Sequence, residues 1–259
     1  MTNSVWIHGY SGKMGQEILA LIKDNSVYSF IAGSDQLIYG LPSYAEKDAN
    51  TSELSSALSA NPPDIILDFS TVTGNSTLLS SIQVSTSFRS AVLIGTTGLS
   101  KGCLDQWKKT AKEKEFSLLF APNTSLGITL TIKAALAVAG VLNNSNFDIE
   151  NPETHHRNKV DSPSGTARLL ASAITSNLDG LKTAENRQGK RQNGEIGVQA
   201  IRGGSVFGEH EIRFLGEHEE LKISHRAFDR MLFAKGALTL AGWVLTQESG
   251  HYGLSDVDI

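Results

Sequence analysis

The 259-residue sequence predicts an α/β protein: a doubly wound parallel sheet into which a second, α+β domain is inserted. Three observations carry that expectation. A glycine-rich turn, Gly9-Tyr10-Ser11-Gly12-Lys13-Met14-Gly15, joins an apolar strand to a helix-like run. Short, continuously apolar strands then alternate with helical spacing as far as Ala121, the pattern of βα units in a sheet covered on both faces. Beyond Asn123 a long helix leads to runs in which polar and apolar residues alternate, as in a sheet with one solvated or partner-covered face.

Each element has a local reason. Val5-Trp6-Ile7 is a short apolar strand, and after the turn Met14, Ile18 and Leu21 or Ile22 recur at helical spacing. Tyr28 to Ala32 reads as a second strand, and Ser52 to Leu58 as a helix stopped by Asn61-Pro62-Pro63. Asp64 to Phe69 and Ala91 to Ile94 read as buried strands, residues 74–85 and Leu104 to Lys114 as helices, and Phe116 to Ala121 as a further strand. The second half predicts a buried helix over 125–142, a strand over Phe147–Thr154 and a helix near 164–177. Residues 179–195 read as a polar, mobile loop, followed by strands at Gly197–Ile201, Glu209–Leu215 and Glu220–Ser224 that suit an antiparallel sheet. A last helix over 229–247 is expected to pack back on the first domain, with hinges near 123–126 and 228–236.

The formal charge of −4 argues against a general nucleic-acid binder. The single cysteine, Cys103, cannot form an internal disulfide, which fits a reducing, cytoplasmic setting, and it reads as a small, partly buried residue rather than a nucleophile. Met1 to Ile7 lacks the basic start and long apolar core of a signal peptide. The longest apolar run, Leu126 to Leu142, contains Lys133 and is short for a membrane span, so no membrane partner is expected.

Glycine lets the chain turn tightly and bring backbone N–H groups against a pyrophosphate, and the following helix N-terminus adds a favourable field. The spacing here is GxxGxxG, so the strand–turn–helix context carries the dinucleotide reading. Asp35 lies 20 residues after Gly15, where a carboxylate can accept ribose hydroxyls and would repel a 2′-phosphate. Gln36 supplies no positive charge, which leans the reading toward NADH, although Lys13 leaves NADPH open. Gly95-Thr96-Thr97-Gly98 and Ala121-Pro122-Asn123-Thr124 each follow a strand and fall on the same carboxyl edge, where small residues admit a flat nicotinamide ring.

The densest chemistry lies from Glu153 to Ala167. Four cation-capable side chains, His155, His156, Arg157 and Lys159, precede Ser162-Pro163-Ser164-Gly165-Thr166 and an apolar helical run. Neighbours on a strand point to opposite faces, so His155 and His156 are expected to do different jobs, one donating a proton and the other gripping a ligand or packing. Lys159 can fix a carboxylate, Ser164-Gly165-Thr166 can hold a second at a helix start, and Asp161 can orient Lys159 or cap the turn. A small anionic substrate that needs a proton fits this set. Metal binding does not: HExxH and paired Cys/His spacings are absent, and Lys and Arg oppose a cation. Glu209-His210-Glu211 and Glu217-His218-Glu219 read as exposed strand ends or turns.

Assembled, these residues resemble the dihydrodipicolinate reductase family, also called 4-hydroxy-tetrahydrodipicolinate reductases. The resemblance runs through Gly9 to Glu17, Asp68-Phe69-Ser70, Gly95 to Gly98, Ala121-Pro122-Asn123, Glu153 to Ala167, Ile201 to Gly204, Gly208-Glu209-His210, His225-Arg226-Ala227 and Phe233 to Ala237. It implies a Rossmann-type doubly wound parallel sheet (1–124 plus about 236–259) with an inserted α+β substrate-binding and tetramerisation domain (125–235). It further implies NADH- or NADPH-dependent reduction of a cyclic dicarboxylate in the diaminopimelate route to lysine, by a homotetramer. His155 then matches the acid–base position and Lys159 its partnering proton donor. His156, Gly165 and Thr166 match substrate-carboxylate positions. Gly9, Tyr10, Ser11, Gly12, Lys13, Met14, Asp35, Gly95, Thr96, Thr97, Ala121, Pro122, Asn123 and Thr124 match cofactor positions.

Four residues depart from the family pattern: Thr124 replaces an aromatic residue, Gln36 an arginine and Ser162 an alanine, and His8 is unusual beside a phosphate loop. The competing readings are another two-domain dehydrogenase of amino or keto acids, which needs no His-rich segment, and a sensor that binds NAD(H) without turnover, which would leave His155 and Lys159 idle.

Overall fold

The computed structural model describes residues 2–35, 37–40, 47–48, 50–142 and 146–258. Gln36, on which the NADH lean partly rests, lies outside them. The chain forms two compact units, Met1–Thr124 with Phe233–Ile259, and Ser125–Leu232.

In the first unit the order is β1 (Asn3–His8), α1 (Lys13–Lys23), β2 (Tyr28–Ser34), β3 (Leu37–Gly40), β4 (Lys47–Asp48), α2 (Thr51–Ala60), β5 (Ile65–Asp68), α3 (Val72–Val84), β6 (Ala91–Ile94), α4 (Lys101–Lys114) and β7 (Ser117–Phe120). The second unit holds α5 (Leu126–Leu142), β8 (Asp148–His155), α6 (Gly165–Asn177), β9 (Lys182–Glu185), β10 (Glu195–Arg202), β11 (Gly208–Leu215) and β12 (Glu220–Ala227). Helix α7 (Met231–Leu245) and β13 (Gly250–Tyr252) complete the first unit.

The large sheet runs β13-β7-β6-β5-β1-β2-β3-β4. The strands from β13 to β2 are parallel, and β3 and β4 extend the edge antiparallel. Alternation along the strands divides its core. Trp6, Ile66, Val92 and Leu118 join a buried cluster with Leu54 and Leu58 of α2, Leu78 and Ile82 of α3, and Trp107 and Ala111 of α4. Val5, Ile7, Ile65 and Leu67 alternate with the first two of those strands' residues and are equally buried. Helix α7 is fastened to the sheet unit by Tyr28, whose Oη donates to the Leu238 carbonyl at 2.7 Å, and by Ser117, whose Oγ donates to the Val244 carbonyl at 3.0 Å. Strands β3, β4 and β13 were not legible in the sequence: two are very short, and β13 follows the last helix with little apolar content.

The smaller sheet runs β12-β11-β8-β10-β9. Here the expectation of an antiparallel sheet is corrected. β11 pairs antiparallel with β8 and β12, but β10 is parallel to both β8 and β9. The reason is topological: α6 carries the chain across from β8 to β9, and residues 186–194 carry it back again before β10, so all three strands run in the same direction. Residues 179–195 are likewise more ordered than a mobile loop. They contain β9, and Arg187 and Arg191 each reach Glu150 Oε1 at 2.6 Å. Gly197 makes room for that carboxylate, since a Cβ there would fall 2.0 Å from Glu150 Oε2. Helix α5 buries Ile128, Ile132, Ala135 and Ala139 but leaves Leu130 and Val141 exposed, so it is buried on one face only. Among the described residues no helix is long and apolar enough to cross a membrane.

Gly9 illustrates how tightly the first turn is built. Its φ is +88°, and a Cβ would lie 2.4 Å from the Phe69 carbonyl carbon. Gly9→Ala is therefore expected to lower the unfolding free energy by about 3 kcal/mol, from backbone strain plus the clash. Urea unfolding measures this, and an unchanged midpoint would contradict the packing described.

Candidate active site

The residues expected to hold a dinucleotide fall at the carboxyl ends of β1, β2, β6 and β7. Gly9 follows β1, Asp35 follows β2, Gly95 to Thr97 follow β6, and Ala121 to Thr124 follow β7. Gly15 lets α1 start against the turn, because a Cβ there would meet the Gly9 carbonyl at 2.4 Å. Helices α2, α3, α4 and α6 are capped by the side chains of Asn50, Thr71, Ser100 and Ser164, whereas the α1 cap is Gly12 and makes no side-chain hydrogen bond. The first turn of α1, with Lys13 and Met14, is thus left without a competing side-chain oxygen, which fits a diphosphate.

Asp35 is tied into the same turn: the Ser11 N–H donates to its Oδ2 at 2.5 Å. Tyr10 stacks on Phe30, their centroids 5.7 Å apart, and its side chain fills the space that a Cβ on Gly33 would need. Gly95 lies against the Phe69 ring, 2.3 Å from where its Cβ would be, and Thr96 Oγ1 donates to the Ser70 carbonyl at 3.3 Å. Ala121 and Asn123 are buried. Thr124, in place of an aromatic residue, is also buried and donates through Oγ1 to the Phe233 carbonyl at 2.7 Å. These groups fit a dinucleotide: uncapped amides and glycine turns for the phosphates, a carboxylate for ribose, and small residues beyond.

The second unit assembles the His-rich segment around Glu153, to which the sequence reading gave no role. Glu153 and His155 are two apart on β8 and share a face. Glu153 is 1% exposed and faces His155 Nδ1 through Oε2. Its Oε1 accepts from Arg202 Nη2 at 2.6 Å and from the Ser164 N–H at 3.1 Å. Burial pushes the Glu153 carboxyl up, but hydrogen bonds from His155 and Arg202, the His155 charge and the Ser164 N–H outweigh it and hold it at about 2. An ionised carboxylate only accepts, so the His155 Nδ1 carries the proton and Nε2 is the position left for acid–base work. Gly208 keeps that side clear: a Cβ there would come within 3.0 Å of His155 Nε2.

His156 is half-buried and follows the end of β8, and after a tight turn the Lys159 N–H donates to the His156 carbonyl at 3.1 Å, with Lys159 Nζ 2.7 Å from Asp161 Oδ1. Burial opposes ionisation of Asp161, yet the Lys159 ammonium and the Gly165 N–H hold its carboxyl below the usual range. The Ser162–Pro163 peptide is cis. Ser164 caps α6, its Oγ accepting from the Ala167 N–H at 3.2 Å, and Gly165 and Thr166 form the helix's first turn.

His210 corrects the expectation of an exposed strand end. It is 4% exposed, opposite both Glu153 and His225 in the sheet, with its ring edge-on to His155 at 5.1 Å. Burial, reinforced by the neighbouring His155 charge, pushes it down to about 3, so it is neutral. His225, also held down by burial, approaches Ser125 Oγ through Nε2 at 3.3 Å. For Glu153 the signal was available, because alternation along β8 places it on the same face as His155.

Comparison with known proteins now bears on this arrangement. The family model described as dihydrodipicolinate reductase, N-terminus, matches residues 3–124, and that for the C-terminus matches 127–257. The 4-hydroxy-tetrahydrodipicolinate reductase of Aquifex aeolicus is 36% identical over 99% of this chain and 99% of its own length. That of Alkaliphilus metalliredigens is 37% identical over 97% of each. The solved structure of dipicolinate-bound dihydrodipicolinate reductase from Paenisporosarcina sp. TG-14 covers 100% of both chains with a TM-score of 0.74 and 25% identity. The parallel sheet with its glycine turn is accordingly that of a pyridine-nucleotide-dependent oxidoreductase. Within that class, the chain belongs to the dihydrodipicolinate reductase family.

The Glu153 network has a consequence for acid stability. A carboxyl held near 2 rather than its ordinary 4.5 contributes fully above pH 4.5, and the contribution disappears as pH falls through about 2. The linked term is roughly 3 kcal/mol. Glu153→Gln is expected to be less stable at pH 7 and to lose less stability between pH 4.5 and pH 2 than the native chain. Urea titrations at a series of pH values test this, and parallel profiles would contradict the assigned network.

Proposed function

We propose that this protein reduces 4-hydroxy-tetrahydrodipicolinate to tetrahydrodipicolinate with NADH as the preferred donor, in the diaminopimelate route to lysine. Family membership supports the reaction, and the observation that carries the chemistry is the Glu153–His155 pair beside Lys159 and the α6 N-terminus. The cofactor supplies hydride when bound. Gly9 to Met14 receive its diphosphate, Asp35 an adenosine ribose, and Gly95 to Thr97 with Ala121 to Thr124 its nicotinamide end.

His155 is the acid–base residue. Glu153 fixes its Nδ1 proton, so that Nε2 is placed to deliver a proton to the enamine carbon next to the one that takes the hydride. Lys159, steered by Asp161, is the partnering proton donor. One substrate carboxylate is held at Gly165 and Thr166 at the start of α6, where the helix field favours an anion, and takes the Gly165 N–H over from Asp161. His156 grips the substrate beside it. The dipicolinate in the Paenisporosarcina structure supports a small cyclic dicarboxylate as ligand.

The protein acts in the cytoplasm as a homotetramer. The second reading is supported by the outer face of the five-stranded sheet, where Ile201 is exposed and Glu211 pairs with Arg213 and Lys222. Among the described residues α5 packs with β12, and α6 with β8, β9 and β10.

The decisive assay follows NADH or NADPH absorbance while the preceding synthase makes substrate from pyruvate and aspartate semialdehyde. Synthase-dependent oxidation is expected, faster with NADH; no oxidation with either nucleotide would refute the reading. His155→Gln should lower turnover about 10²- to 10⁴-fold with little change in NADH affinity. Asp35→Ala should weaken NADH binding more than NADPH binding, and equal losses would remove Asp35 from the ribose.

A further inference from the structure

His8, immediately before the first glycine, has no part in the reading above. It is 1% exposed and both ring nitrogens are engaged. Nε2 lies 2.9 Å from the Gly74 carbonyl, and Nδ1 lies 2.7 Å from Ser34 Oγ. A carbonyl only accepts, so Nε2 carries a proton and donates it. In the neutral ring Nδ1 then accepts from the Ser34 hydroxyl, which itself accepts from Trp6 Nε1 at 2.9 Å. The chain Trp6–Ser34–His8–Gly74 is therefore directional, and every donor in it has an acceptor.

Its position gives it meaning. His8 is paired in register with Ser34 on β2 and with Asp68 on β5, so the three form one buried row across the sheet. The row lies two residues along from Ala32, Trp6 and Ile66, which belong to the apolar core. The next residue along each strand is Gly9, Asp35 or Phe69. Asp68 is closed off in the same manner, accepting from Asn75 Nδ2 at 2.6 Å and from Ser70 Oγ at 2.5 Å. The start of α3 approaches the row only because residue 74 is glycine: a Cβ there would be 2.9 Å from the Ser70 side chain and 3.4 Å from His8 Nε2.

We propose that His8 is a positioning residue for the dinucleotide: a strut that couples the turn after β1 to Asp35 after β2 and braces both against α3. This rests on the cofactor reading of Gly9 to Met14 and Asp35. The imidazole holds Ser34, and through it the adjoining Asp35, in the place where the Ser11 N–H meets the carboxylate. Without the ring, Asp35 and the turn are free to separate before the ligand arrives, and binding must restore them.

The test is binding by the full chain, without turnover, of NADH and of ADP-ribose, which keeps the diphosphate and adenosine ribose but carries no nicotinamide. His8→Ala should raise both dissociation constants about tenfold, the effect of orphaning one buried hydrogen-bonding group. Ser34→Ala should act in the same direction, and the double variant should lose no more than the worse single one. His8→Gln, whose amide can both donate and accept, should restore most of the affinity. A lowered Tm with unchanged affinity for both ligands, or additive losses in the double variant, would overturn the strut. If the native chain binds neither ligand, the cofactor reading fails and this one with it; native binding with unaffected variants sinks this one alone.

Discussion

An ionised carboxylate taken out of water costs several kcal/mol unless donors replace its hydration. Glu153 meets that condition with donors from three separate pieces of chain: His155 on its own strand, Arg202 at the end of β10 and the Ser164 N–H at the mouth of α6. Two of these donors are also bound elsewhere. Arg202 reaches the Asp161 carbonyl at 2.6 Å, and Ser164 caps α6. The charge thus fixes the path of the 155–164 segment as well as the tautomer of His155. Because the same group has several partners, none can be removed without stranding the others, and the geometry of His155 is inherited from the sheet.

The two units solve one problem in different ways. In the first, the functional edge consists of backbone: glycines bring amides and carbonyls within reach, and side chains mainly brace them from below. In the second, the candidate groups are side chains and the sheet spaces them. A glycine serves both. Gly9 permits a turn, while Gly208 only withholds a side chain from the neighbourhood of His155.

Much of this was legible in the sequence. The glycine turn, the apolar strands of the parallel sheet and the Glu153 to Ala167 segment identify their own surroundings, because each depends on local spacing. The parts that were not legible depend on pairing across long stretches of chain. His210, flanked by two glutamates, looks like a surface residue until β8 and β12 are placed on either side of it. The direction of β10 and the ordering of residues 179–195 by Glu150 follow from partners more than thirty residues away. His8 appeared odd for the same reason, since both atoms that explain it belong to other strands and helices.

Thr124 and Phe233 mark where the chain leaves the first unit and where it returns, and a hydrogen bond of 2.7 Å joins them. The first unit is therefore already closed at the point of insertion. Joining its two ends directly would need only a short linker, with a small loop-closure cost. In construction terms the inserted unit is a cassette: its two attachment points are fixed by the host, so its contents can be exchanged or lengthened without asking the nucleotide unit to refold.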